Sequence, residues 1–147
     1  MKVQFFVLTI FLGVVLAVHL AMNGKVGMAI NNPRVGNAVF WCIGALTAVI
    51  IGLTGWKAGA LAPLRDISPL LLTAGAFGAM LVFAIAWLIP EVGAVGLFMC
   101  LLAGQVIGSV VMSHYGWLGS PVEPITLIKM VGVALMIGGA TIVAFVK

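Results

Sequence analysis

Charge is scarce in this 147-residue sequence: Asp, Glu, Lys and Arg together make up 7% of it, three acids against seven bases. A soluble domain carries roughly 25% charged residues, because a folded surface must face water. Too few charged groups are present here to cover one. The seven cations, Lys2, Lys25, Arg34, Lys57, Arg65, Lys129 and Lys147, are scattered singly. They form no basic stripe that could track phosphates, which argues against a nucleic-acid partner. Cysteine occurs twice. Neither Cys42 nor Cys100 stands in a CxxC pair or at ligand spacing from a histidine, so the pattern of a disulfide or metal site is missing. Both fall within apolar runs, where Cys behaves as a small hydrophobe. There is no HExxH, no GxSxG, no phosphate loop and no His–Asp or Cys–His pair at workable spacing. Only His114, with Tyr115 and Glu123 nearby, resembles a catalytic cluster. The expectation is a protein that is not an enzyme and holds no cofactor and no metal.

What the chain does have is apolar residues, 64% of the total, with a mean hydropathy of +1.33. Such a surface belongs in lipid, where only helices or closed barrels satisfy every backbone group. A barrel strand alternates polar and apolar residues over about 10 positions. Here the apolar runs are continuous and reach the roughly 20 residues that cross a bilayer as a helix. Five spans are expected, at about 3–22, 35–53, 70–89, 92–112 and 125–146, in a single transmembrane domain covering 1–147. The first is too long for the hydrophobic part of a signal peptide and no A-x-A site follows, so it reads as a retained helix. Asn31-Asn32-Pro33, Pro63 with Pro69, Pro90-Glu91, and Gly119-Ser120-Pro121 with Pro124 supply turn chemistry between the spans. Trp56, Trp87, Tyr115 and Trp117 lie near span ends, as interfacial aromatics do; Trp41 lies deeper.

Orientation in a membrane follows the asymmetry of cations across it. Five spans place Lys2, Lys57, Arg65 and, by snorkelling, Lys129 on one side, and Lys25, Arg34 and Lys147 on the other. That is almost no bias. Either the cations near the first span decide and one orientation results, or the chain inserts both ways and pairs with an inverted copy or partner. An odd number of spans suits the second plan, because a five-helix unit ends on the side opposite its start. Two such units of opposite orientation make the inverted repeat of many secondary transporters. The fold class expected is therefore an all-α integral membrane protein of about five helices, half of an inverted-repeat transporter.

Few polar residues fall within the spans. Gln105, Ser109 and Ser113 follow one another at i, i+4 and form a polar stripe. Two roles fit it: interhelical hydrogen bonding or the lining of a solute path. Gly104 and Gly108 form a GxxxG pair that admits a close neighbouring helix, and Gly75 to Ala79 offers another flat face. His19 and Asn23 share a face of the first span, with Thr9 on roughly the same side. His19 either meets interfacial water or titrates and couples transport to protons. Glu91 reads as the first residue of a helix, where a carboxylate suits the positive dipole end. Lys129 either snorkels or attracts an anionic solute. The candidate substrate-binding set is Gln105, Ser109, Ser113, His19 and Asn23, and the helix-packing set is Gly104, Gly108, Gly75 and Ala79.

The stretches Gly75-Ala-Phe-Gly-Ala79, Ile89-Pro-Glu-Val-Gly-Ala94, Ala103-Gly-Gln-Val-Ile-Gly108 and His114-Tyr-Gly-Trp-Leu-Gly119, continuing through Pro121 to Gly132 and Gly138, resemble the YdcZ-type branch of the drug/metabolite transporter superfamily. Asn23 stands where that family has an Asn, with His19 near the position of its Gln. Ser113 replaces an Asp that usually precedes the position of His114; if that Asp holds a proton or cation in the family, either this chain lacks the coupling or His114 substitutes for it. The resemblance implies a bacterial inner-membrane exporter of about five helices, acting as a homodimer or as a pair of homologous subunits with antiparallel halves. It implies a small-molecule substrate without naming one. The competing expectation is a non-transporting accessory or assembly subunit of a larger membrane complex, which would use the same glycine faces without a solute path. A channel fits less well, for want of charged rings or a carbonyl-rich filter.

Overall fold

In the computed structural model, described for residues 3–146, helices α1 (Val3–Ala29), α2 (Pro33–Thr54), α3 (Pro69–Leu72), α4 (Ala74–Val92), α5 (Ala94–Tyr115) and α6 (Leu127–Phe145) are joined by short links. Among the described residues there is no strand. Counting Pro69–Val92 as one span, five helices are long and apolar enough to cross a membrane. Lys2 and Lys147, two of the cations that bear on orientation, lie outside the described residues. The chain forms two compact units, Met1–Glu91 and Val92–Lys147.

The first unit is built on the hairpin of α1 and α2. At 1.5 Å per residue α1 is about 40 Å long, more than the roughly 30 Å of hydrocarbon it must cross. It runs on past Met22, where the sequence pattern ended the first span, because nothing between Asn23 and Ala29 breaks a helix. The stop is Asn31, whose φ of 52° is left-handed, a conformation that Asn tolerates better than other side-chain-bearing residues. The Asn31 amide donates to the Met28 carbonyl and the Asn32 amide to the Gly27 carbonyl, each at 3.0 Å. This is a Schellman end, which satisfies carbonyls that a helix leaves open. Asn32 then caps α2, its Oδ1 accepting from the Val35 amide at 3.2 Å, and Pro33 takes the first helical position, where no N–H is needed.

Small residues bring α1 and α2 together. A Cβ on Gly36 would stand 2.7 Å from the Cα of Gly27, and one on Gly27 would stand 3.0 Å from the Cα of Pro33. α4 meets this hairpin at two places. Gly78 faces the Trp41 ring, and Gly24 approaches the Ala86 carbonyl so closely that a Cβ there would lie 3.1 Å from its oxygen. Pro90 explains why that oxygen is available. It lies inside the last turn of α4 and has no N–H to offer the carbonyl four residues back.

The same stretch corrects one expectation. Pro90 and Glu91 do not form the turn, and Glu91 does not begin a helix. Both belong to the end of α4, and the break comes at Gly93, with φ of 81°. A glycine reaches that backbone conformation without strain, whereas Pro90 tolerates the last helical turn at the cost of one hydrogen bond. Glu91 therefore sits at the negative end of a helix dipole, not the positive end.

The second unit pairs α5 with α6. Gly116, in the left-handed region with φ of 65°, ends α5. The link that follows is tied down by its own backbone: the Glu123 amide donates to the Ser113 carbonyl at 2.9 Å. The Ile125 amide donates to Nδ1 of His114 at 3.2 Å, and Thr126 caps α6 by accepting from the Lys129 amide at 3.2 Å.

The contact between Gly27 and Gly36 leaves no room for a side chain. Gly36→Val should destabilise the detergent-solubilised protein by about 1–3 kcal/mol, the usual cost of overpacking. Gly44→Ala, at a position with nothing within 4 Å of a new Cβ, should leave it unchanged or slightly more stable. Thermal unfolding of the two purified variants checks this, and equal melting temperatures would refute the close crossing.

Candidate functional site

Two polar arrangements arise in the fold, one in each unit. In the first unit Asn23 is the one buried polar side chain among the described residues, at 2% exposure. Its Nδ2 donates to Oδ1 of Asn37 at 3.3 Å, and Asn37 in turn donates to the Ala79 carbonyl at 3.5 Å. One turn further along α2, Trp41 points its ring at Gly78. Oδ1 of Asn23 and Nε1 of Trp41 are both buried without a partner. An acceptor and a donor therefore remain open within the packed helices, where an unmade hydrogen bond is costly.

His19 stands one turn from Asn23 and is half-buried. Its Nδ1 lies 2.9 Å from the Leu16 carbonyl, which can only accept, so Nδ1 carries the proton. The ring rests 5.4 Å from that of Phe40. Thr9 is exposed and bonds the Phe5 carbonyl of its own helix at 2.7 Å. The face read from α1 thus narrows to His19 and Asn23, and what meets it from α2 is Asn37 at Asn23 and Phe40 at His19, with Trp41 edge-on to Phe40. Spacing gave a signal for Asn37 and Trp41, because they are themselves an i, i+4 pair with polar groups in the mostly apolar α2.

In the second unit a groove of about 370 Å³ opens between α5 and α6. Val106, Val110, Val133 and Met136 make its apolar floor, and Ser109, Ser113, Glu123 and Lys129 its polar side. Nζ of Lys129 donates to Oε2 of Glu123 at 2.7 Å. That hydrogen bond first, and the ammonium charge second, hold the Glu123 carboxyl below its ordinary pKa. Ser113 Oγ and Ser120 Oγ are 3.1 Å apart, and Ser109 donates to the Val106 carbonyl at 2.9 Å, which leaves its oxygen free to accept. His114, the nearest thing to a catalytic prospect in the sequence, holds the link instead, with Nδ1 accepting from a backbone amide and hence unprotonated.

The stripe expected on α5 divides. Ser109 and Ser113 line the groove, whereas Gln105 is exposed and lines none of the grooves between α5 and α6. Each i, i+4 step advances about 40° around a helix, so two steps turn Gln105 well away from Ser113. Gly104 and Gly108 flank Gln105, and a Cβ on either would meet nothing within 4 Å. Among the described residues of the second unit they bring no helix close. On α4 the close approach falls to Gly78 and Ala79, while Gly75 also faces open space. Sequence reasoning had not joined Glu123 to Lys129; the available signal was Thr126, a capping residue that places Lys129 in the first turn of α6 with Glu123 just before it.

Among known proteins, a family model described as "Putative inner membrane exporter, YdcZ" matches residues 4–142. No curated protein and no solved structure matches the chain.

Two outcomes test these arrangements. Asn37→Leu should strand the Asn23 amide and cost about 1 kcal/mol, a typical value for an interhelical hydrogen bond in a membrane. The double variant Asn23→Leu/Asn37→Leu should recover part of it, and unfolding in mixed detergent micelles reads both. For Glu123 the sign follows from a folded-state pKa below the unfolded one. Its contribution to stability is present above the unfolded pKa and is lost as pH falls through the folded pKa. Carboxyl carbon NMR should show Glu123 titrating lower in the native protein than in Lys129→Met; identical titrations would rule out the ion pair.

Proposed function

The chain belongs to the YdcZ family of inner-membrane exporters, and from that premise we propose that it is a transporter subunit moving a small organic solute by alternating access. It works as an antiparallel dimer, with a second copy or a homologous partner of opposite orientation. The protein is multi-pass in the inner membrane, and its family supports transport over catalysis.

The observation that carries the reading is the groove between α5 and α6. It joins an apolar floor to four polar or charged side chains, the composition of a small-molecule site. Ser109 and Ser113 are assigned to the solute there. His19 and Asn23, with Asn37 and Trp41, supply a second polar surface in the first unit. Gln105 is assigned to the partner-facing side of α5, where Gly104 and Gly108 admit a close helix. Hydrocarbon offers an amide no hydrogen bond, so an exposed Gln105 favours a protein neighbour. The near-even distribution of cations favours a neighbour of opposite orientation.

Proteoliposomes loaded with a carbon-13-labelled extract of small metabolites test transport while the solute is still unidentified. The wild-type protein should release at least one labelled compound above empty vesicles. Ser109→Trp, which fills the groove, should reduce that release at least about tenfold, the effect of ~1.4 kcal/mol. Release equal to that from empty vesicles would end the transporter reading. For the dimer, Gln105→Cys in a Cys42→Ser/Cys100→Ser background should cross-link between copies if the partner is identical, and topology reporters in the Lys57–Arg65 link should appear on both membrane faces. A single orientation with no cross-link would exclude the antiparallel homodimer and leave the pair of homologous subunits.

A further inference from the structure

We infer that the groove between α5 and α6 recognises a zwitterionic group, an ammonium and an acidic function carried at one end of an apolar body. The inference rests on the transport reading above and names the chemistry of its solute. Glu123 and Lys129 are the charged side chains among the described residues of the second unit, and both line this groove. The two charges thus stand together, on the polar side of a floor made by Val106, Val110, Val133 and Met136.

Both charges keep unused valences toward the opening. Their side chains are 39% exposed for Lys129 and 62% for Glu123. The ammonium has three donors and gives one to Oε2 of Glu123, so two donors and Oε1 remain. The backbone fixes where the two side chains start. The Glu123 amide is held by the Ser113 carbonyl, and the Lys129 amide is held by Thr126. A ligand with only a positive charge would gain Glu123 but face the Lys129 ammonium close by. A ligand with only a negative charge meets the reverse conflict. A zwitterion replaces one ion pair by two and leaves no charge uncompensated, which is the condition for charges at a low-dielectric boundary. The Ser109 oxygen, free to accept, suits the ammonium end. At about 370 Å³ the groove is near the lower end of the range for small-ligand sites, enough for a charged head and a short aliphatic body.

This chemistry has two sources, a free amphiphilic zwitterion and the headgroup of a zwitterionic lipid. Purified full-length protein in phosphatidylglycerol nanodiscs is titrated calorimetrically with leucine, 3-methylbutylamine and 4-methylpentanoate, which share a skeleton and differ in charge. In parallel, native mass spectrometry compares retention of phosphatidylethanolamine with that of phosphatidylglycerol from mixed nanodiscs. At least one zwitterion, leucine or phosphatidylethanolamine, should bind at least about tenfold more tightly than its singly charged counterparts. The arm in which it does so identifies the source. Glu123→Gln combined with Lys129→Met should abolish that preference while keeping the helical circular dichroism of the wild type, and Lys25→Met, which removes a cation of the first unit, should preserve the preference. The inference is overturned if neither zwitterion is preferred, or if the preference survives the double substitution. Should it fail while Ser109→Trp still stops solute release from proteoliposomes, transport through the groove stands and only the solute class is wrong.

Discussion

Hydrocarbon offers no hydrogen bonds, and every polar feature of this protein answers to that constraint. The chain is apolar enough that most of its large side chains are exposed on the isolated protein, so burial of hydrophobic residues does not order it as it would a soluble domain. Order comes instead from small residues that let backbones approach and from a few polar groups that must find one another. Asn23 and Asn37 meet within the first unit, and Glu123 and Lys129 meet at the end of the second. The first pair ties α1 to α2, and the second ties the link before α6 to that helix's first turn.

The constraint also explains the peculiarities of the helix ends. Asn31, Asn32 and Pro33 finish one helix and begin the next within a single turn, and in doing so they satisfy the Gly27 and Met28 carbonyls and the Val35 amide. Pro90 frees the Ala86 carbonyl, and the chain answers by packing Gly24 against it. A Cα–H donor is a weak partner for such an oxygen, but glycine provides one without a side chain in the way.

Most of the architecture was legible in the sequence because it follows from solvent and length: continuous apolar runs, proline and glycine between them, and aromatic residues at their ends. Local chemistry that overrides the runs was harder to read. The first helix outlasts its apolar stretch because Asn23 and Gly24 are tolerated inside a helix. The turn before α5 moved from Pro90 to Gly93 because Pro90 keeps a helical φ, whereas Gly93 takes the positive φ that breaks the helix. The candidate site was legible one helix at a time: Ser109 and Ser113 on α5, His19 and Asn23 on α1. What faces them, Lys129 and Glu123 or Asn37 and Phe40, depends on how helices are rotated about their axes, and spacing along one helix does not report that.

The turn at Asn31 to Pro33 has a bearing on biogenesis. Its hydrogen bonds are all local, and the amides of Asn23 and Asn37 shield each other only when both helices are present. Either helix released alone into lipid would leave its asparagine amide with no partner on the other, whereas the two released together join Nδ2 of Asn23 to Oδ1 of Asn37. The economical unit of membrane insertion for this end of the chain is therefore the helical hairpin, entering the bilayer as a pair with its asparagines already joined.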